Sequence, residues 1–172
     1  AELGELARTQ ADATADYALV TTHMRRGDLK QALAAADALA AKLPQQPMPD
    51  MLRGQIALRL NDRDAARRYF EWALGKDARY LPALNQLVAL DLADGKPDLA
   101  RGRLVAHLQK HADHVPAMLA LADLLRRTGA PREEAQKWLD EAVKVNPIDP
   151  AARMAVVDHH LRSNDSRAAL QA

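Results

Sequence analysis

The sequence predicts an all-α chain built from one helix–turn–helix unit repeated along its length. Three observations carry this. The apolar residues, 48% of the chain, are mostly alanine and leucine, while the β-branched and aromatic strand formers are sparse. Turn-forming residues recur at a fixed spacing: Gly27, Asn61, Gly95 and Gly129 stand 34 apart, and Asn164 follows 35 later. An alanine then follows each turn at a nearly constant offset: Ala32, Ala66, Ala100, Ala135 and Ala169.

Each observation has a physical reading. Glycine and asparagine tolerate the left-handed backbone that ends a helix, so a regular series of them marks a regular series of helix ends. A small residue at a fixed place after each turn lets two antiparallel helices approach closely. A period in this range is the mark of stacked helical hairpins rather than of one compact bundle.

Taken in order, residues 1–12 read as the tail of a preceding helix. In the unit 13–46, Gly27 closes the first helix and Asp28 is a natural N-cap for the second. The unit 47–80 repeats this with Asn61 and Asp62. In the unit 81–114, Gly95 ends the first helix and Pro97 opens the second, where a missing N–H costs little. The unit 115–149 turns through "TGAPREEA", which carries one inserted residue and accounts for the longer step. Residues 150–172 supply one helix and the start of another, with Asn164 and Asp165 repeating the turn and cap. The chain thus begins and ends out of phase with its repeat and shows no polar capping helix. It reads as a piece of a longer array whose open end is sticky towards a further copy. Its first residue is alanine and no signal-like run is present, so it reads as an excised or processed piece, and whether targeting information stands upstream is left open.

Composition excludes several function classes. The net charge is +1, from 24 basic and 23 acidic residues well mixed. No basic stripe with stacking aromatics is present, which speaks against nucleic acid as a partner. "LLRRTG", with Arg126 and Arg127, reads as a solvated helix end. There is no cysteine, hence no disulfide, thiol catalysis or cysteine-bound zinc, and the compartment stays open. No apolar run approaches the roughly 18 residues that span a bilayer.

Catalysis is not expected. The only serines, Ser163 and Ser166, sit together in the last turn, away from any base, and no strand precedes a phosphate loop. The carboxylates read as surface residues with no pair singled out by spacing. "HLQKHADH" places His107 and His111 four apart on one helix face with His114 close behind, a spacing able to grip a metal ion. The favoured reading is plainer: His107 packs half-buried while His111 and His114 are solvated near the helix end. "DHH", Asp158 to His160, reads the same way. No metal and no cofactor is expected.

The repeat resembles the tetratricopeptide family, whose 34-residue unit carries a small residue at position 8, glycine at 15, alanine at 20, a large apolar residue at 24, alanine at 27 and proline at 32. The unit 47–80 matches with Gly54, Asn61, Ala66, Phe70 and Ala73, with Ala78 in place of proline. The unit 115–149 matches with Ala122, Gly129, Ala135, Leu139, Ala142 and Pro147. The unit 81–114 has Val88, Gly95, Ala100 and Leu104, but His107 where alanine is usual. The unit 13–46 departs most, with Val20 at the small position and Ala36 at the bulky one.

That resemblance implies a right-handed superhelical α-solenoid acting as a non-enzymatic scaffold for a protein or peptide partner. The family's groove positions, carried onto this chain, are Tyr17, Thr21, Arg25, Met51, Gln55, Arg59, Asn85, Gln86, Ala89, Leu119, Asp123, Arg127, Asp158 and Arg162. The family's lysine/asparagine clamp for a terminal carboxylate is absent, since Tyr17, Thr21, Leu52 and Pro82 stand in its places. The asparagine ladder of the glycosyltransferase-associated kind is absent too, since its places hold Ala18, Leu52, Gln86, Ala120 and Ala155. Self-assembly through the open end is the alternative role, and a metal- or small-ligand-binding helical domain the third.

A narrower resemblance covers about 47–172. "Y-x-P-A" at Tyr80, "L-D-L-x-x-G-K-P-x-x-A-R" from Leu90 and "R-T-G-A-P-x-E-E" from Arg127 are similar to the TPR-repeat lipoprotein of the bacterial PEP-CTERM/exosortase system. This implies a lipid-anchored scaffold facing the periplasm or cell envelope, beside exopolysaccharide and protein-sorting machinery, with its anchor cysteine upstream.

The register also sorts the aromatic cluster "RRYFEWALGKDARYLPA". Phe70 and Ala73 should pack the second helix of their unit onto the first. Tyr69 and Trp138 share a half-buried position, and Tyr80 pins the turn into the next unit. Trp72 alone points to the convex surface, as a second candidate contact.

Overall fold

The computed structural model of the chain describes residues 2–162, with side chains from Ala13 onward. The expectations for Ser163, Asn164, Asp165, Ser166 and Ala169 therefore lie outside the described residues. Within them the chain is helical and no strand occurs. The helices are α1 (Glu2–Arg26), α2 (Leu29–Lys42), α3 (Met48–Arg59), α4 (Arg63–Lys76), α5 (Leu81–Ala93), α6 (Pro97–Lys110), α7 (Val115–Arg127), α8 (Arg132–Val145) and α9 (Pro150–Arg162). Residues 1–90 and 91–172 form two compact units.

One element differs from expectation. Residues 2–12 do not end a separate helix; they run without a break into the helix that was expected to open at residue 13. From Glu5 to Arg26 there is no glycine or proline to stop propagation.

The turn positions behave as their residue types require. Gly27, Asn61, Gly95 and Gly129 all have positive φ, at 81°, 61°, 69° and 74°. After each, the next N–H reaches back to the last turn of the helix: Asp28 to His23, Asp62 to Ala57, Lys96 to Asp91 and Ala130 to Leu125, all at 2.9–3.0 Å. These bonds satisfy carbonyls that a helix end otherwise leaves open. Asp62 caps α4 by accepting from the Ala65 N–H at 2.9 Å. Asp28 occupies the same place without a side-chain cap bond and instead meets His23 and Arg26. At the fourth turn Pro131 is the N-cap, so α8 starts one residue later, relative to its turn glycine, than α2, α4 or α6. The inserted residue is thus absorbed before the helix, and Ala135 still reaches the core.

The second helix of each hairpin buries the same face. The buried triplets are Ala32, Ala36 and Leu39 in α2, Ala66, Phe70 and Ala73 in α4, and Ala135, Leu139 and Ala142 in α8. Spacings of four and three keep such a triplet on one side of a helix.

In the first unit one core cluster joins α1, α2 and α3 around Val20, Ala36, Leu39, Leu52 and Ile56. Another joins α3, α4 and the start of α5 around Met51, Phe70, Ala83 and Leu87. In the second unit α7 packs on α6 and on α8, and α9 on α8. The buried side chains there include Leu104, Met118, Leu121, Leu125, Leu139 and Val156.

Phe70 is fully buried, as the register required. Its ring takes the space above Gly54, where an added Cβ would lie within 2.7 Å of the ring carbons Cδ1, Cε1 and Cζ. Tyr69 and Trp138 are half-buried and Trp72 is 53% exposed. Tyr69 and Trp72 meet edge-on with ring centroids 5.3 Å apart.

Candidate functional site

In the first unit the groove positions lie on α1, α3 and the start of α5. Tyr17 and Arg25 are exposed on α1, and Thr21 is half-buried, its hydroxyl donating to the Ala18 carbonyl. Asn85 and Ala89 are exposed on α5, with Gln86 half-buried. Gln55 is half-buried on α3. Tyr80 keeps a pKa above the usual phenol value because burial, the Tyr17 phenol and the Asp77 carboxylate all oppose its ionisation. That mutual influence brings Tyr17 and Tyr80 into one neighbourhood.

Two groove residues have other work. Met51 is buried in the core cluster with Phe70 and Leu87, so it offers no lining. A thioether on a flexible stem fills space between helices, and here the core claims it. Arg59 is exposed, but its guanidinium donates to the Met24 carbonyl at 2.6 Å, across to the C-terminal turn of α1. A cation there complements the helix end.

In the second unit the structure gathers three groove residues. Leu119, Asp123 and Asp158, with Ala122, Arg126, Leu139, Ala155 and His159, line a cavity of about 70 Å³ between α7, α8 and α9. Much of the charge is already engaged. Asp123 pairs with Arg126 one turn on and more loosely with Arg127 at 3.8 Å. Asp158 accepts from Arg162 through both oxygens at 2.7–2.8 Å. That bond lowers the Asp158 pKa and raises that of Arg162.

Two carboxylates that read as surface residues are buried. Asp50 is 1% exposed and Asp91 fully enclosed. Asp50 lies 2.6 Å from Lys76 Nζ and 3.0 Å from Arg53 Nη1, and Arg53 also reaches Asp37 at 2.7 Å. This chain of charges ties α2, α3 and α4 together, and the Arg53 guanidinium lies 5.7 Å from the centre of the Tyr69 ring. Asp91 accepts from Arg103 Nε at 2.9 Å. Buried carboxylates hold their charge only when paired in this way. Sequence spacing gave no sign of it, because the partners come from other helices.

The histidine cluster also differs from its reading. His114 is buried at the N-cap of α7, not solvated, and its Nδ1 lies 2.6 Å from His107 Nε2. His111 is half-buried, its ring 4.8 Å from that of His107. Among the described residues no three histidine or carboxylate groups are arranged to hold a metal ion, and no helix is long and apolar enough to cross a membrane.

Arg132 escaped the sequence reading, and His159 was read only as the middle residue of "DHH". His159 is buried on α9. Its pKa is lowered first by burial and then by Arg132 and His160, partly offset by Asp140.

Residues 85–153 match a family model described as tetratricopeptide repeat. No curated protein matches the chain. Several solved structures share its fold. PilF of Pseudomonas aeruginosa is 15% identical over 95% of this chain and 74% of its own, with a TM-score of 0.62. A thermophilic tetratricopeptide protein of Thermus thermophilus is 18% identical, covering 92% and 87%, at 0.61. MamA of Desulfovibrio magneticus RS-1 is 20% identical, covering 92% and 89%, at 0.55. At such identities the likeness shows the fold alone: an all-α array of tetratricopeptide type.

Proposed function

From a chain with the tetratricopeptide-repeat fold, we propose a non-enzymatic scaffold that holds a segment of a partner protein along the first helices of its repeats. The units are 13–46, 47–80, 81–114 and 115–149, with a partial fifth at 150–172. The observation that carries the reading is the convergence of Leu119, Asp123 and Asp158 on one cavity. Within residues 1–90 the exposed Tyr17 and Asn85, with the half-buried Gln55 and Gln86, offer a phenol and amides able to bond a peptide backbone. The setting we propose is the bacterial envelope, in exopolysaccharide export or PEP-CTERM protein sorting, on the strength of the motifs at Tyr80, Leu90 and Arg127.

Two variants test this, each by pull-down from envelope extract against the unaltered chain. One replaces Tyr17, Gln55 and Asn85 together, the other Leu119 and Asp158. Loss of specific partners is expected from both, and unchanged recovery from both would sink the groove reading. The envelope setting fails if the partners recovered come from neither export nor sorting machinery.

A second reading, self-association, is favoured by the apolar surface of the last helices. Ile148 is 85% exposed and Met154 65%, with Leu161 and Val145 also exposed. Light scattering that shows a dimer, lost on changing Ile148 and Met154 to charged residues, would favour it. A monomer throughout would remove it.

A further inference from the structure

Three arginines from three helices turn towards one cavity in the second unit. Arg126 lies in the last turn of α7, Arg132 opens α8 and Arg162 lies at the end of α9; with Ala130, Ala135 and His159 they line a space of about 210 Å³. No carboxylate lines it. Arg126 and Arg162 are neutralised by Asp123 and Asp158, which lie outside this lining.

Arg132 is placed differently. Its Nε lies 3.4 Å from His159 Nε2 and its Nη2 lies 3.4 Å from His160 Nδ1. No carboxylate pairs with it among the described residues. The Arg132 guanidinium faces two imidazoles, and the cavity lining itself carries arginines and no carboxylate, the nearest balancing charges being Asp123, Asp158 and Asp140 outside it. His159 keeps a pKa below the ordinary imidazole value, first because of burial and then because of Arg132, His160 and Arg126, with Asp140 opposing.

We propose that this cavity is an anion site that anchors a carboxylate of the bound peptide, either an acidic side chain or the chain terminus. It rests on the peptide-binding reading above and names the chemistry of the partner. The Nε and Nη2 edge of Arg132, which faces His159 and His160 at 3.4 Å, is also the edge that matches both oxygens of a carboxylate in parallel bonds, so a bound carboxylate takes the place of these two long imidazole contacts. A carboxylate seated there also favours the protonated form of His159, so binding draws a proton onto the imidazole and strengthens as the pH falls. Asp140 already pulls His159 in that direction, while His160 and Arg126 oppose it. Arg126 and Arg162, tied to their own aspartates, supply field rather than contact. Arg132 opens the second helix of its hairpin and is not a groove position itself, while Arg162, which is one, lines the same cavity.

The test follows the imidazole resonances of His159 and His160 in the intact chain as short blocked peptides are added. The probes are a glutamate peptide with an amidated end, a glutamine peptide with a free terminal carboxylate, the same glutamine peptide amidated, and inorganic phosphate. A saturable shift with one or both acidic peptides, and none with the neutral one, is expected. Which acidic peptide binds assigns the carboxylate to side chain or terminus. Arg132→Gln should weaken that binding about tenfold or more, a change of roughly 1.4 kcal/mol. Arg132→Lys, which keeps the charge but loses the fork, should fall between the two. Equal affinity in Arg132→Gln, no saturable shift with either acidic peptide, or saturation by phosphate alone would each overturn the proposal. If the peptides bind as expected but the groove variants still recover their partners, the groove reading fails and the anion site stands.

Discussion

The ring of Phe70 stands where a side chain on Gly54 would have to go, with three ring carbons within 2.7 Å of the missing Cβ. The glycine on α3 and the phenylalanine on α4 are therefore one packing unit. Two effects of opposite sign meet at Gly54. Alanine in a helix interior is worth about 0.5–1 kcal/mol over glycine, while overpacking a tight core costs about 1–3 kcal/mol. The clash is with a fully buried ring, so it should win. Gly54→Ala should destabilise the chain in urea titrations, and Phe70→Ala should cost about 3–5 kcal/mol. In the Phe70→Ala background the clash is gone, so Gly54→Ala should become stabilising. No change of sign would show that the ring does not set the size at residue 54.

Burial separates two aspartates that look alike in the sequence. Asp50 is enclosed between Lys76 and Arg53, whereas Asp123 pairs with Arg126 at the surface. Removing one partner of a buried pair costs about 3–5 kcal/mol, and an exposed pair contributes about 0–1 kcal/mol. Asp50→Asn should therefore lower the urea midpoint far more than Asp123→Asn. Similar midpoints for the two would mean that Lys76 and Arg53 find water or another partner without cost.

The repeat was legible because it is written in residues with special backbones. Gly27, Asn61, Gly95 and Gly129 could be placed from spacing alone, and all four have the left-handed φ expected. Phe70, Tyr69 and Trp72 followed from the same register. The departures in the first hairpin, Val20 and Ala36, are both fully buried in one core cluster. There the larger residue stands on the first helix and the smaller on the second, the reverse of Gly54 and Phe70. A pattern read one position at a time scores this as two mismatches, while the core feels only the summed volume. Met51, Asp50, Asp91 and Arg132 were out of reach for another reason. Their roles depend on which side chain of a different helix faces them, and one-dimensional spacing does not carry that.

His159 should make stability sensitive to mild acid. Burial, Arg132 and His160 hold its folded pKa below the ordinary imidazole value of about 6.5. As the pH falls, the unfolded chain takes up this proton before the folded chain does. The stabilisation is complete above about pH 6.5 and is lost as the pH falls through the lower folded value. Thermal unfolding from neutral pH downwards should show a falling midpoint, and His159→Gln should flatten that fall. A slope of the same size in the variant would assign the acid sensitivity to other groups.

The turn residues allow backbone strain to be measured nearly free of packing. A Cβ added at Gly27, Gly95 or Gly129 meets nothing within 4 Å, so the only cost is the positive φ. For an ordinary L-residue that cost is about 1–2 kcal/mol. Gly95→Ala should lose about that much, while Gly95→Asn should lose less, because asparagine tolerates the left-handed region that Asn61 occupies at φ 61°. Asn61→Gly should be neutral or stabilising, and Asn61→Ala destabilising. The decisive comparison is Gly95→Ala against Gly102→Ala. Both sites are open to an added Cβ, but Gly102 lies inside α6 without a positive φ. There alanine should stabilise, by about 0.5–1 kcal/mol. Opposite signs at residues 95 and 102 in chemical denaturation would assign the effect to the handedness of the turn. The same sign at both would mean that the turn relaxes on substitution and that glycine is not what ends the helix.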